Sequence, residues 1–262
     1  MRSNVAVRWL SRLDGLMLVG LSVFVFNLVL GKDYWFYLNP KFKPLSLTSA
    51  VVLAGLGAFG LWRPLARWSW WRTGLFALVL ALAVVSQAGV DRDMGGESLG
   101  QDNPSAPVET APASRVKMGG KEYIRINAGE LYDISGKHLQ DKLGLNYAMR
   151  GFVRRQPELD KDQEFIIYRV ALYCCFADTT AVGFKVKLPP GASLPKNAEW
   201  VVVYGQLTGL AGAGEKDEPA IPGAVFASIS PYNLFQADRL ESEPPLKTPF
   251  MYEWHEEEPY AY

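Results

Sequence analysis

The stretch EFIIYRVALYCCFADTTAVGFKVKL, Glu164 to Leu188, decides how the chain is read. It predicts two β-strands joined by a tight connection. The first runs Phe165–Cys174, with Ile166, Tyr168, Val170, Leu172 and Cys174 on one face at a period of two. The second runs Thr180–Leu188, where Val182, Phe184, Val186 and Leu188 alternate with Gly183, Lys185 and Lys187. Between them lie Cys174, Cys175 and Asp178, and these two adjacent cysteines are the only ones in 262 residues.

Outward from this hairpin, further strands are expected at Tyr123–Asn127, Asn146–Arg155, Glu199–Leu207 and Ala224–Ile229. A helical or mixed segment fills 128–143 through Leu131, Ile134, Leu139 and Leu143. Gly151 and Gly205 interrupt two of the strands, a sign of bends or bulges, and a Gly-rich turn follows at Leu210–Gly214. Short strands with glycines at the bends predict an all-β or α+β domain over 119–240, a small barrel of the OB type. Residues 241–262, rich in Pro and Glu, are expected to form a loosely held tail.

The chain before residue 119 has another character. Leu16–Leu30, Leu45–Trp62 and Gly74–Val90 are apolar and uncharged. They predict a membrane α-helical region over 1–90 with three spans in the lipid bilayer. Arg2, Arg8 and Arg12 precede the first span, and Arg63, Arg67 and Arg72 separate the second from the third. Basic flanks stay cytoplasmic, so three crossings place the C-terminal domain outside the cytoplasm of a bacterial inner membrane. The uncharged spans argue against an ion relay within this chain. Small residues such as Ala50, Gly55 and Gly57 suit close helix packing, within the chain or onto a partner. Residues 91–118 read as a flexible linker with a reach of roughly 30 Å.

Net charge is zero but segregated. Residues 1–89 carry nine Lys/Arg against two acidic residues, whereas 119–262 carry fifteen against twenty. A mildly acidic soluble half excludes nucleic acid as a partner. No nucleophile elbow, phosphate loop, paired-histidine zinc motif or dinucleotide fingerprint occurs, so no enzymatic activity is expected. Asp160, Asp162 and Glu164 read as a solvated turn, and His138 and His255 as solvated side chains in unrelated segments.

Gly151-Phe152-Val153, then Tyr168-Arg169-Val170-Ala171-Leu172-Tyr173-Cys174-Cys175-Phe176-Ala177-Asp178, then Val182-Gly183 follow one another in a characteristic order. With the early spans, Tyr37-Leu38-Asn39-Pro40 and Pro249-Phe250-Met251-Tyr252, this order resembles the YcgQ-type bacterial membrane family, regarded as one subunit of a two-component permease. The Cys-Cys-x-Ala-Asp core is its specific part. Tyr173 stands where that family carries a small hydroxyl residue, and Phe176 and Thr179 replace alanines. The resemblance implies a partner, a multi-span membrane permease, with this chain as accessory subunit handling a solute or metal ion at the outer face. The alternative is a stand-alone envelope module that uses the vicinal cysteines for redox chemistry or metal sensing.

Three readings of Cys174 and Cys175 remain open at this level. They are core residues of the strand, or metal ligands with Asp178 as oxygen donor, or a vicinal disulfide. Neighbouring side chains on a strand point to opposite faces. Both thiolates therefore reach one ion only if the strand ends at Cys174 and Cys175 begins the turn.

Overall fold

The computed structural model describes residues 2–31, 34–63, 69–93, 113–209, 221, 223–244 and 250–262. The chain divides into two compact units, Met1–Gly96 and Glu97–Tyr262. Most of the expected linker (residues 94–112), the turn at Leu210–Gly214, and Arg67 and Trp68 lie outside the described residues.

The first unit is helical: α1 (Arg2–Leu30), the single turn α2 (Tyr34–Tyr37), α3 (Lys43–Trp62) and α4 (Trp70–Asp93). Two helical stretches, Arg12–Leu30 and Pro40–Trp62, are long and apolar enough to cross a membrane. The third expected span, Gly74–Val90, is not among them: the described apolar part of its helix is Trp70–Val85, although α4 itself runs on to Asp93. α1 and α3 touch through glycines. A Cβ on Gly57 would lie 2.7 Å from Val19 Cγ2 and 2.9 Å from the Gly15 carbonyl oxygen, so only glycine permits this approach. Ala50 is fully buried at the same contact, where Ser22 Oγ donates to its carbonyl at 2.7 Å. Part of the small-residue pattern thus serves packing within the chain. Asp14, buried in α1, accepts from Arg72 Nε at 2.7 Å and from Thr73 Oγ1 at 2.5 Å, which ties α1 to α4. The apolar helical stretch begins at Arg12, ahead of the expected Leu16–Leu30 span, and so takes in Asp14, while Leu16–Leu30 itself carries no charge.

The second unit contains β1 (Arg115–Met118), β2 (Lys121–Ile126), α5 (Ala128–Gly136), α6 (Gln140–Leu143), β3 (Asn146–Arg154), α7 (Pro157–Asp160), β4 (Glu164–Ala171), β5 (Thr180–Lys187), β6 (Trp200–Gly209), β7 (Phe226–Ser242) and β8 (Phe250–Met251). Strands β3, β4, β5, β7 and β6 close on themselves, because β3 pairs with both β6 and β4. All barrel pairings are antiparallel except β5 with β7, which is parallel. The result is a closed, strand-rich barrel.

Its interior follows from alternation. Val182, Phe184, Val186 and Leu188 point inward, as their period predicts. On β4 the inward set is Phe165, Ile167 and Ala171, and the face shared by Ile166, Tyr168 and Val170 is the outer one. That outer set is nonetheless buried to 2% exposure or less. Phe152 stands edge-on to Trp200 and beside Tyr168, and β8 pairs with Val170 and Ala171. Covered on both faces, β4 has no polar side from which its orientation could be read. Leu131 and Ile134 of α5 join the same core.

β7 is longer than expected, extending past Ile229 to Ser242. Pro231 falls in the register break between Gly183↔Ile229 and Lys185↔Leu234, where its missing N–H costs no ladder bond. The expected loose tail is corrected as well. Residues 250–262 are held by β8, by Arg150 beneath the Tyr262 ring at 4.1 Å, and by Arg115 with Glu258 at 2.7 Å. The expected linker also shrinks at its end, since β1 begins at Arg115.

Candidate thiol and metal site

β4 stops at Ala171, three residues before the cysteines, because Leu172 N–H leaves the barrel to donate to the Met251 carbonyl at 3.1 Å. Tyr173, Cys174 and Cys175 then turn around one carboxylate. Asp178 Oδ1 accepts from Tyr173 N–H at 3.1 Å, and Oδ2 accepts from Cys174 N–H at 2.7 Å and Cys175 N–H at 3.4 Å. A 3-10 turn, Phe176–Asp178, returns the chain to β5. Thr179 fastens it there: its Oγ1 donates to the Phe176 carbonyl at 2.9 Å and accepts from Val225 N–H at 3.1 Å.

This geometry frees neighbouring side chains from the alternation of a strand. Cys174 Sγ and Cys175 Sγ are 3.6 Å apart and both are free thiols. The two sulfurs and an Asp178 carboxylate oxygen all lie within 4.8 Å of one another, the only such group among the described residues. Cys174 is exposed and Cys175 half-buried, so neither belongs to the barrel core. The core reading of the cysteines is thereby corrected, and the condition for both to reach one ion is met, with the strand ending even earlier than that condition required.

The electrostatics are those of an anion-organised loop. Partial burial pushes the Asp178 carboxyl up, but hydrogen bonds from the Cys174 thiol and the three N–H groups outweigh it and hold it below the usual range. The same carboxylate, with Cys175 second, pushes the Cys174 thiol up to about 12. At neutral pH Cys174 is therefore a protonated, weak nucleophile. A cation that displaces the proton converts it into a ligand.

The loop is braced from outside the hairpin. The Tyr173 ring stacks on Trp254 at 5.9 Å and 28°. Trp254 Nε1 donates to Asp133 Oδ2 at 3.0 Å, and its ring covers Gly129 so closely that a Cβ there would be 2.0 Å from Trp254 Cη2. Glu130, 2% exposed, accepts from Asn127 N–H at 3.3 Å, His255 N–H at 2.6 Å and Ala261 N–H at 2.9 Å. Burial pushes its carboxyl up, and these bonds only partly oppose that. Reading from sequence missed this brace. The signal available was Asn127-Ala-Gly-Glu130, a capping box that forms as such at the start of α5.

The remaining candidates stay apart. His138 packs edge-on to Tyr232 at 5.1 Å, and His255 Nδ1 meets the Pro259 carbonyl at 2.7 Å. Both are exposed, and neither joins the thiol group. Asp160 bonds Arg155 at 2.6 Å and Glu164 lies 3.5 Å from Lys187, so these acids are salt-bridged around α7 and β4 rather than simply solvated.

Residues 104–228 match the DUF1980 C-terminal domain. The matched region contains the whole cysteine loop and ends within β7, short of the 250–262 brace. DUF1980 is an uncharacterised domain family, so the match assigns no activity. No curated protein matches the chain.

Proposed function

We propose that this chain is a membrane-anchored module whose barrel captures a soft or borderline metal cation at Cys174, Cys175 and Asp178. The observation that carries it is the convergence of two sulfurs and a carboxylate on an exposed loop. Thiolates select ions of this class, and three protein donors leave a position open. The barrel is read as OB-like, since five strands close with the third and fifth parallel, and the site lies in the loop between the second and third. The fold itself is neutral about ligand. The helical unit serves as the anchor. α4, with 24 residues, is about 36 Å long and provides the third crossing, which sets the barrel outside the cytoplasm.

The test is metal uptake by the full-length chain in detergent, offered Zn²⁺ or Cd²⁺. One ion per chain is expected, lost after alkylation of the thiols. Uptake should strengthen with pH, by about tenfold per unit for each proton displaced. Binding that survives alkylation, or none at all between pH 6 and 9, refutes the proposal.

Partnership with a multi-span permease is the second reading. It rests on the family resemblance and on the flank of α3 at Gly55, where an added Cβ would meet nothing within 4 Å. Gly55 stands among the exposed Val51, Val52, Leu56 and Phe59. Purification from gently solubilised membranes should recover a multi-span protein from the wild type and much less from Gly55→Leu. Equal recovery with both, or recovery of this chain alone, removes this reading.

A further inference from the structure

We infer that the thiol site is an open tetrahedral one, in which Cys174, Cys175 and Asp178 hold a zinc-like divalent ion and the fourth position stays exchangeable. This rests on the cation reading above and specifies the ion's geometry and the kind of traffic it permits.

The sulfur separation carries the first part. With metal–sulfur bonds of about 2.3 Å, a tetrahedral ion places two thiolates about 3.8 Å apart, whereas a linear two-coordinate ion places them about 4.6 Å apart. The observed 3.6 Å between the free thiols is close to that tetrahedral edge and well short of the linear one. Closing on such an ion needs sulfur shifts of a few tenths of an ångström, whereas a linear copper(I) bridge needs the sulfurs to separate by about 1 Å. That separation is opposed by the loop, whose three consecutive N–H groups are fixed on Asp178.

Asp178 supplies the third donor. Of its roughly four acceptor sites, three are taken by N–H groups, which leaves one for an ion held with the two nearby sulfurs. The charge balances: two thiol protons leave to water as one divalent cation enters.

Among the described residues no histidine, further cysteine or further carboxylate joins the group, and Cys174 faces solvent, which leaves the fourth position open. Closed four-ligand sites are structural, whereas sites with an open position exchange ligands. The site therefore suits receiving and releasing an ion rather than storing one.

Cobalt(II), added to the full-length chain in detergent, is the probe. The expected spectrum is an intense tetrahedral ligand-field band with charge transfer from two thiolates at one ion per chain. Imidazole should shift the band while cobalt stays bound, as a fourth ligand enters. Asp178→Asn should weaken binding about 10–100-fold and keep the two-thiolate signature. A weak octahedral spectrum, or a tetrahedral one that imidazole leaves unchanged, overturns the open tetrahedral site but leaves cation capture standing. Cobalt and zinc binding that is absent, or unaltered in the Cys174→Ser/Cys175→Ser variant, overturns both.

Discussion

Replacement of Glu130 by alanine is expected to destabilise the barrel domain by roughly 3–9 kcal/mol, because three N–H donors lose their acceptor at about 1–3 kcal/mol each. The donors belong to Asn127, His255 and Ala261, two of them on the segment that holds the end of the chain against α5. Against a typical total of about 5–15 kcal/mol, the loss is large. Denaturant unfolding of the full-length chain measures it, and limited proteolysis should cut residues 250–262 away first. Glu130→Gln should rank between the two, since an amide oxygen can keep the bonds from His255 and Ala261. The pH dependence has a definite sign. Burial holds this carboxyl above its ordinary 4.5, so the fold takes up its proton more readily than the unfolded chain does. That contribution is fully present below about pH 4.5 and is lost as pH rises through the folded value. The glutamine variant should lack this component. An alanine variant as stable as the wild type would show that the buried carboxylate holds nothing together.

The second large effect is functional. Changing both Cys174 and Cys175 to serine should abolish cation uptake while moving stability by no more than about 0.5 kcal/mol, the range for surface substitutions. Cys174 is exposed, both residues lie beyond the end of β4, and the Asp178 carboxylate is bonded to their backbone N–H groups, which serine retains. Thermal unfolding and metal content measured on one preparation decide it. Early unfolding of the variant would return the cysteines to a packing role, and uptake by a well-folded variant would place the ligands elsewhere.

How much of this was legible depended on whether a segment had two unlike faces. β5 alternates Val182, Phe184 and Val186 with Gly183, Lys185 and Lys187, and it lies as that pattern predicts. β4 is buried on both sides, so its inward face and its end at Ala171 were invisible, and Tyr173 and Cys174 seemed to continue it. The order Cys-Cys-x-x-Asp was visible, but not the convergence of Asp178 on three N–H groups, which depends on the loop's path. The second half of β7 was hidden by Pro231 and by Ser230 and Asn233. Those two polar residues are buried because Ser135 of α5 meets them at 2.9 and 2.6 Å. Residues 241–262 looked solvated because their ten Glu and Pro outnumber their five aromatics. In the fold Trp254 and Tyr262 face inward onto Gly129 and Arg150, and Glu258 finds Arg115.

The bond between Glu130 and the residues at 255 and 261 also sets an order of events in synthesis. A ribosome delivers α5 well before it delivers Trp254, so for more than a hundred residues of elongation a carboxylate meant for the interior has only its own helix cap for company. Neither Tyr173 nor the thiol loop beside it can reach its final bracing before then. The cysteines are thus made well before Trp254 arrives to complete their bracing, and an ion arriving early meets thiols without their assembled site.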